Sequence, residues 1–168
     1  MTNRVLIESD QIVVQAIDAL ILHEPRFANV IELTGVPKLR LRPDGFETLL
    51  QAIVSQQVSV AAANAIWSRL ELNNFVDPNQ ILQTNEDQLK AVGLSRQKIR
   101  YAKALAAANL DYKELRQKSD DEVIRILTEI PGIGVWTAEI YAMFSLKRAD
   151  IFAAGDLCLL YTSDAADE

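Results

Sequence analysis

The residues with the clearest chemical potential lie near the end of the sequence, where a glycine hairpin, an apolar helix and a loop acid follow one another. Pro131 ends the preceding helix, because the residue before a proline is pushed out of the α region. Gly132 and Gly134 allow positive φ angles or a close approach of the backbone to a ligand. The next helix is predicted to begin at about Val135. Its first N–H groups lack partners inside the helix and can bind a phosphate oxygen. The loop that follows this helix ends in Asp156.

On the residues alone, two interpretations of this stretch stay open. The hairpin is either an ordinary corner between two helices or a phosphate-binding turn. Asp156 is either a solvated loop acid or a fixed carboxylate that acts on a substrate. A fixed carboxylate can stabilise a developing positive charge or orient a water molecule.

The spacing of the hairpin, of Trp136-Thr137-Ala138 and of Asp156 resembles that of the helix-hairpin-helix DNA glycosylases, most closely the DNA-3-methyladenine glycosylase II branch. The resemblance implies a base-excision repair enzyme that removes alkylated purines such as 3-methyladenine from double-stranded DNA. It makes Asp156 the catalytic acid. It also implies that the hairpin grips the DNA backbone, through Gly132, Ile133, Gly134 and Thr137.

The polar turn between two apolar helices at residues 55–59 is the second stretch that the resemblance assigns to DNA. Judged from its residues alone, it is only a connection between helices. In the family this turn enters the minor groove, and the residue matching Gln57 fills the gap left by the displaced nucleotide. Val58 and Ser59 complete the turn, and Ser59 can also cap the next helix.

A run of positive charge without any acid occupies residues 89–103, in a chain of formal net charge −6. The run is either a solvated helix face or a DNA-facing patch. Ser95 is predicted to cap its helix, and we assign Ser95 and Lys98 to DNA binding. The five cations of the run are Lys90, Arg96, Lys98, Arg100 and Lys103.

An aromatic pocket can select an alkylated purine by stacking and cation–π contact, because such a base is already cationic. The pocket candidates are Trp136, Tyr141 and Ile140, although both aromatic residues could equally belong to the core. Bifunctional relatives place a nucleophilic lysine two residues beyond the second hairpin glycine. Trp136 holds that position here, so we predict a monofunctional enzyme that leaves an abasic strand.

The amino-acid composition limits the cofactors that the chain could bind and the cellular locations that fit it. Cys158 and His23 are the single cysteine and the single histidine, which argues against a four-cysteine iron–sulfur cluster and against a zinc site. We expect no required cofactor. The resemblance implies a monovalent cation held by hairpin carbonyls, here those of Thr128, Ile130 and Ile133. No apolar run is long enough to span a bilayer. We expect the complete protein to be a monomer without membrane contact in the cytoplasm of a bacterium.

Apolar residues recur at helical spacing and no stretch alternates as a strand does, so the sequence predicts an all-α protein. The resemblance makes this a two-lobed helical bundle. Asp44 is predicted to cap the helix that starts at about Phe46, and Thr84 with Asp87 resembles a capping box. In the helix after the hairpin, the side predicted to face the core carries Trp136, Ile140, Met143 and Phe144.

The end of the chain departs from the family pattern. Residues 158–168 resemble one reading frame of a transposase adapter used in sequencing libraries, so we expect the glycosylase domain to cover residues 1–157 and the tail to be non-native. The family's C-terminal helices would then be missing. We expect apolar faces in residues 10–33 to be left exposed, with a tendency to aggregate and poor activity.

Two other functions remain open from the sequence. One is a non-catalytic helix-hairpin-helix DNA-binding module, which needs the hairpin but not Asp156. The other is an all-α protein-interaction domain, for which an acidic charge is ordinary.

Overall fold

The computed structural model describes residues 5–164 of the chain, with side chains to residue 161. The last four residues of the expected tail lie outside the described residues. Helices account for the architecture of the described part, which confirms the predicted all-α class; the pairing of Leu6 with Arg148 is an isolated bridge. The helices are α1 Asp10–His23, α2 Arg26–Thr34, α3 Phe46–Ser55, α4 Val60–Leu72, α5 Pro78–Gln83, α6 Glu86–Ala91, α7 Arg96–Ala107, α8 Tyr112–Leu115, α9 Asp120–Thr128, α10 Val135–Phe144 and α11 Leu157–Asp164.

One hydrophobic core organises α3 to α10. Helix α7 lies at its centre and packs against α3, α5 and α6, while α10 packs against both α9 and α3. Each large apolar side chain that is fully buried stabilises the fold by about 1.5–3 kcal/mol. The largest of these side chains are Leu49, Leu50, Ile53, Leu70, Ile81, Leu89, Ile99, Leu105 and Leu127.

Helices α1 and α2 form a smaller layer outside this core. They pack against each other, and neither helix contains a buried residue. Leu22 and Leu33 are 84% and 86% exposed. The segment that precedes α1 is tied to the rest of the chain by backbone hydrogen bonds, one of which runs from Ile7 N to Lys147 O at 2.8 Å. The apolar faces of residues 10–33 are therefore open to solvent, as we expected for this chain.

Most predicted helix starts are found where the capping residues indicated. The side chains of Ser9, Ser59 and Ser95 each accept a hydrogen bond from a first-turn N–H group. Ser119 and Glu122 form the reciprocal capping box that opens α9. These caps fix where each helix begins and therefore the direction in which the site loops leave.

Two predicted caps are wrong. Helix α3 starts from Gly45 without a side-chain cap, because the Asp44 carboxylate is turned towards Tyr141 and Arg116. Helix α6 is capped by Asn85, which accepts from Gln88 N at 2.9 Å. The hydroxyl of Thr84 instead donates to a carbonyl of the preceding helix α5.

The predicted buried face of α10 is also wrong. Trp136 is 48% exposed, and Ile140, Met143 and Phe144 are only partly covered. Because α9 and α3 contact the opposite side of α10, that side forms the buried face. It consists of Thr137, Ala138, Tyr141 and Ala142.

Candidate nucleic-acid interface and active site

The hairpin between α9 and α10 is built on one glycine that the fold requires. Gly132 has a φ of +94°, and a Cβ added to it would lie 2.3 Å from Cγ of Tyr101. The φ of Gly134 is −85°, so of the two uses expected for the hairpin glycines only the close approach of the backbone is open to it. A Cβ on Gly134 would meet no atom within 4 Å, so the second glycine leaves an open surface. Gly134 caps α10 without a side-chain hydrogen bond, so the start of the helix faces that surface.

The turn between α3 and α4 is tied to this hairpin by a residue that the sequence did not single out. The Nε2 atom of Gln56 donates to the carbonyl oxygen of Gly132 at 2.8 Å. The next residue, Gln57, is exposed and has a φ of 54°, a left-handed conformation that costs energy for any residue with a Cβ. The neighbouring glutamine pair was the only available signal, and periodicity cannot tell which of the two turns inward.

A groove of about 700 Å³ runs between that turn, the start of α7 and the hairpin. Of the residues predicted to bind DNA, Ser59 and Thr137 lie outside its lining. Ser59 caps α4, and Thr137 is buried on α10. The groove therefore brings together three separate stretches of sequence. The predicted residues that line it are Gln57, Val58, Ser95, Lys98, Gly132, Ile133 and Gly134.

Lys98 lines the groove but directs its charge inward. It is 9% exposed, and its ammonium group donates to the Val54 carbonyl oxygen at 2.6 Å. Burial lowers the pKa of the Lys98 ammonium group. Arg96 and Arg100 of the same helix are exposed and are sequence neighbours of the groove residues Gln97 and Tyr101.

A separate cavity of about 460 Å³ opens between α3 and α10. All three predicted pocket residues line it, namely Trp136, Ile140 and Tyr141, and the predicted hairpin residue Thr137 lines it as well. Gln56 lines both this cavity and the groove, so one side chain separates the two spaces. Cavities of this size accept a small organic ligand. The other lining residues are Arg42, Pro43, Thr48, Leu49, Gln51, Ala52 and Ser55.

Asp156 is held beside this cavity by two hydrogen bonds. Its Oδ2 atom accepts from Nε1 of Trp136 at 2.7 Å, and its Oδ1 atom accepts from the backbone N–H of Cys158 at 2.8 Å. The Trp136 hydrogen bond, and then the Cys158 hydrogen bond, lower the pKa of Asp156. The carboxylate is therefore ionised at neutral pH. It is joined through the indole ring to the wall of the cavity.

Tyr141 is fixed by hydrogen bonds at its hydroxyl group. The side chain is 3% exposed, and its hydroxyl donates to Asp44 while it accepts from the Gly45 N–H at 3.0 Å. Burial and the hydrogen bond to Asp44 raise the pKa of the Tyr141 hydroxyl well above its ordinary value. This tyrosine is thus both a core residue and a cavity residue.

Comparison with known proteins shows to which family the chain belongs. Residues 50–160 match the model of the HhH-GPD superfamily of base excision DNA repair proteins, and they span the turn, the hairpin and Asp156. The chain belongs to this superfamily. It is 36% identical over 127 residues to the DNA-3-methyladenine glycosylase 1 of Schizosaccharomyces pombe, an alignment that covers 70% of this chain and 56% of that protein.

Solved structures of the superfamily have the same fold. The crystal structure of a DNA-3-methyladenine glycosidase from Bacillus halodurans superposes with a TM-score of 0.77 and 33% identity, covering 93% of this chain and 73% of that one. The Schizosaccharomyces pombe 3-methyladenine DNA glycosylase in complex with abasic DNA gives a TM-score of 0.65 and 33% identity, covering 77% and 69%. The chain spans just over half the length of the first curated relative named above.

Proposed function

We propose that this protein is a monofunctional DNA N-glycosylase that removes alkylated purines, such as 3-methyladenine, from double-stranded DNA. The observation that carries the proposal is the hydrogen bond from Trp136 to Asp156, which joins an ionised carboxylate to the wall of the 460 Å³ cavity. The names of the related glycosylases support alkylated bases as the substrate class.

The chemistry follows from the charge that the reaction develops. The damaged nucleotide leaves the stack and its base enters the cavity, where Trp136 offers an exposed aromatic surface and Tyr141 lies in the wall. When the N-glycosidic bond breaks, its electron pair stays with the base and positive charge builds on the sugar. The Asp156 carboxylate stabilises that charge. A water molecule then forms the new bond to C1′ and loses a proton, which leaves an abasic site.

The residues of the groove make the proposed contacts to the DNA backbone. Backbone N–H groups at the start of α10 bind a phosphate, and the open space at Gly134 lets the DNA backbone approach. Gln57 lies at the tip of the turn across the groove, where it can occupy the gap left by the displaced nucleotide.

No amine replaces water in this scheme. Trp136 stands two residues beyond Gly134, where a bifunctional enzyme needs its lysine. Lys147, further along the chain, pairs with Glu8 at 3.0 Å and lines a different cavity. We therefore expect borohydride to trap no covalent adduct between protein and DNA.

A monovalent cation at the hairpin also belongs to the proposal. Among the described residues no group of histidine, cysteine and acidic side chains could hold a metal, so backbone carbonyls would have to bind the ion. Those of Thr128, Ile130 and Ile133 are the candidates. The Ile130 carbonyl accepts a backbone hydrogen bond from Ile133 N at 3.0 Å, and its second lone pair can face an ion. Duplex affinity should be higher in potassium than in tetramethylammonium at equal ionic strength. Equal duplex affinity in the two salts would contradict the proposed cation site.

The experiment that tests the reaction compares the 168-residue chain with its Asp156→Asn variant under single-turnover conditions with protein in excess. The substrate is a duplex carrying one 7-methylguanine. The parent should produce abasic sites, seen as strand breaks only after added alkali. The variant should bind the duplex but lose turnover, because its amide is uncharged.

Two outcomes would overturn the proposal. Equal base release by parent and variant would remove Asp156 from the chemistry. Duplex binding by the parent without any base release would instead assign the non-catalytic DNA-binding module. Sedimentation of the same preparation tests the expected tendency of this chain to aggregate.

A further inference from the structure

A charged network lies directly behind the wall of the 460 Å³ cavity. Its centre is Asp44, whose side chain is 11% exposed. One carboxylate oxygen accepts from the Tyr141 hydroxyl, and the other accepts from Nε of Arg116. Since α3 begins at Gly45 without a side-chain cap, the carboxylate serves these contacts and not the helix.

The positive and negative ends of this network have different surroundings. The Arg116 side chain is 52% exposed, so water screens the positive end of the ion pair. The negative end contacts the hydroxyl of Tyr141, a buried residue that belongs to the cavity lining. A hydroxyl that donates to a carboxylate becomes richer in electron density, and the face of an electron-rich ring attracts a cation more strongly. Burial, and then the nearby charge of Asp44, raise the pKa of Tyr112 to about 12.

An opposing charge belongs to one of the lining residues. Arg42 lines the cavity, and its guanidinium group lies 5.8 Å from the centre of the ring of Phe144, which lines a neighbouring cavity. Taken alone, a cation in the wall would disfavour a cationic base. Two charges of opposite sign therefore act on whatever enters, Arg42 from the lining and Asp44 through Tyr141.

We propose that Asp44 is a positioning residue that sets specificity: through the hydroxyl of Tyr141 it makes the cavity favour a positively charged purine over a neutral one. This inference rests on the proposed function, because it concerns the base that enters the same cavity. It assigns the selection of charge to a residue outside the cavity lining.

The test measures a ratio of rates, so that effects on DNA binding cancel. Two duplexes of the same sequence carry either 7-methylguanine, which is cationic, or hypoxanthine, which is neutral. Asp44→Asn should lower the ratio of single-turnover rates, cationic over neutral, roughly tenfold, because one poorly screened charge is lost. Tyr141→Phe keeps the ring but cuts the link to Asp44, and should lower the ratio in the same direction.

Two control variants fix the interpretation. Arg42→Gln removes the opposing charge and should raise the ratio. Asp77→Asn makes the same chemical change at the cap of α5, where asparagine also caps well and which lines none of the described cavities, so the ratio should stay at the parental value. Equal losses on both duplexes in Asp44→Asn would show a purely structural role and overturn the inference.

A binding measurement separates this inference from the proposed reaction. Quenching of tryptophan fluorescence reports the binding of free 7-methylguanosine and of guanosine in slightly acidic buffer, without any bond cleavage. The parent should prefer the methylated nucleoside, and Asp44→Asn should lose that preference. If the preference exists but no duplex is processed, the proposed function fails and the inference stands. If parent and variant bind the two nucleosides alike, the inference fails whatever the reaction.

Discussion

At the scale of single residues, the acid of the site and the aromatic wall of its cavity are joined by one hydrogen bond, from Trp136 to Asp156. Sequence spacing was enough to select both residues, because they lie in one continuous motif. It could not show that they touch. Gln56 and Asp44 were missed for the same reason: their partners, Gly132 and Tyr141, are far away in the sequence.

We predict that Trp136→Phe slows base release roughly tenfold, the size of one hydrogen bond to a charged group. The ring remains but the N–H donor is lost. This donor is the largest cause that holds the pKa of Asp156 low, so the pKa should rise. Because the ionised form is the active one, the acid limb of the pH–rate profile should move to higher pH.

The matched control is Trp67→Phe. The indole N–H of Trp67 also donates to a carboxylate, that of Glu71 at 2.8 Å, but neither residue lines the cavity. Its profile should match that of the parent. An unshifted pH–rate profile in Trp136→Phe would show that the indole N–H does not control the ionisation of Asp156.

Gln57 should contribute to lesion binding without supporting the fold. Gln57→Ala is expected to weaken binding of a lesion duplex roughly tenfold, since the side chain offsets part of the few kcal/mol lost on flipping. Thermal unfolding should change little, because the side chain is exposed. Asn74→Ala is the control, since Asn74 has a similar φ of 58° and lines none of the described cavities. Equal lesion affinity for Gln57→Ala and the parent would remove Gln57 from the site.

At the scale of elements, helix existence could be predicted better than helix orientation. Serine caps and apolar periodicity located most helices, because both signals are local. The buried face of α10 could not be predicted, since apolar residues occur on nearly all sides of this helix and only the positions of α9 and α3 select one. At α6 two capping residues stand side by side, and the hydroxyl of Thr84 is used by the preceding helix.

The two hairpin glycines should separate stability from DNA binding. Gly132→Ala is expected to cost roughly 2–5 kcal/mol of unfolding free energy, because it combines left-handed backbone strain with a contact against Tyr101. Gly134→Ala should stay within about 0.5 kcal/mol, since its Cβ meets open space. Urea denaturation measures both.

Gly134→Val extends the comparison to binding. It should fold like the parent yet bind all duplex sequences more weakly, because the larger side chain keeps the DNA backbone away. A normal duplex affinity in this variant would place the phosphate contact elsewhere.

At the scale of the whole molecule, the proposed function requires a chain of formal net charge −6 to bind a polyanion through a local surface. Duplex affinity should therefore fall as salt rises. Arg96→Gln, at an exposed cation between the groove residues Ser95 and Gln97 in the sequence, should reduce the slope of log affinity against log salt by about 0.9. Lys98→Gln should leave the slope unchanged and lower stability, because Lys98 is bonded to the Val54 carbonyl. If the duplex affinity of the parent did not depend on salt, the proposed phosphate contacts of the hairpin and the groove would be contradicted.

The layer formed by α1 and α2 sets the order in which the molecule opens. A helix pair with no buried residue has little apolar contact to lose when it detaches, so its free energy of opening lies far below that of the main core. In deuterated water its amides should exchange early and at similar rates. Those of α3 and α7 should exchange only when the core unfolds. Mass spectrometry of the labelled protein would show two isotopic steps, and a single shared step would mean that both layers unfold together.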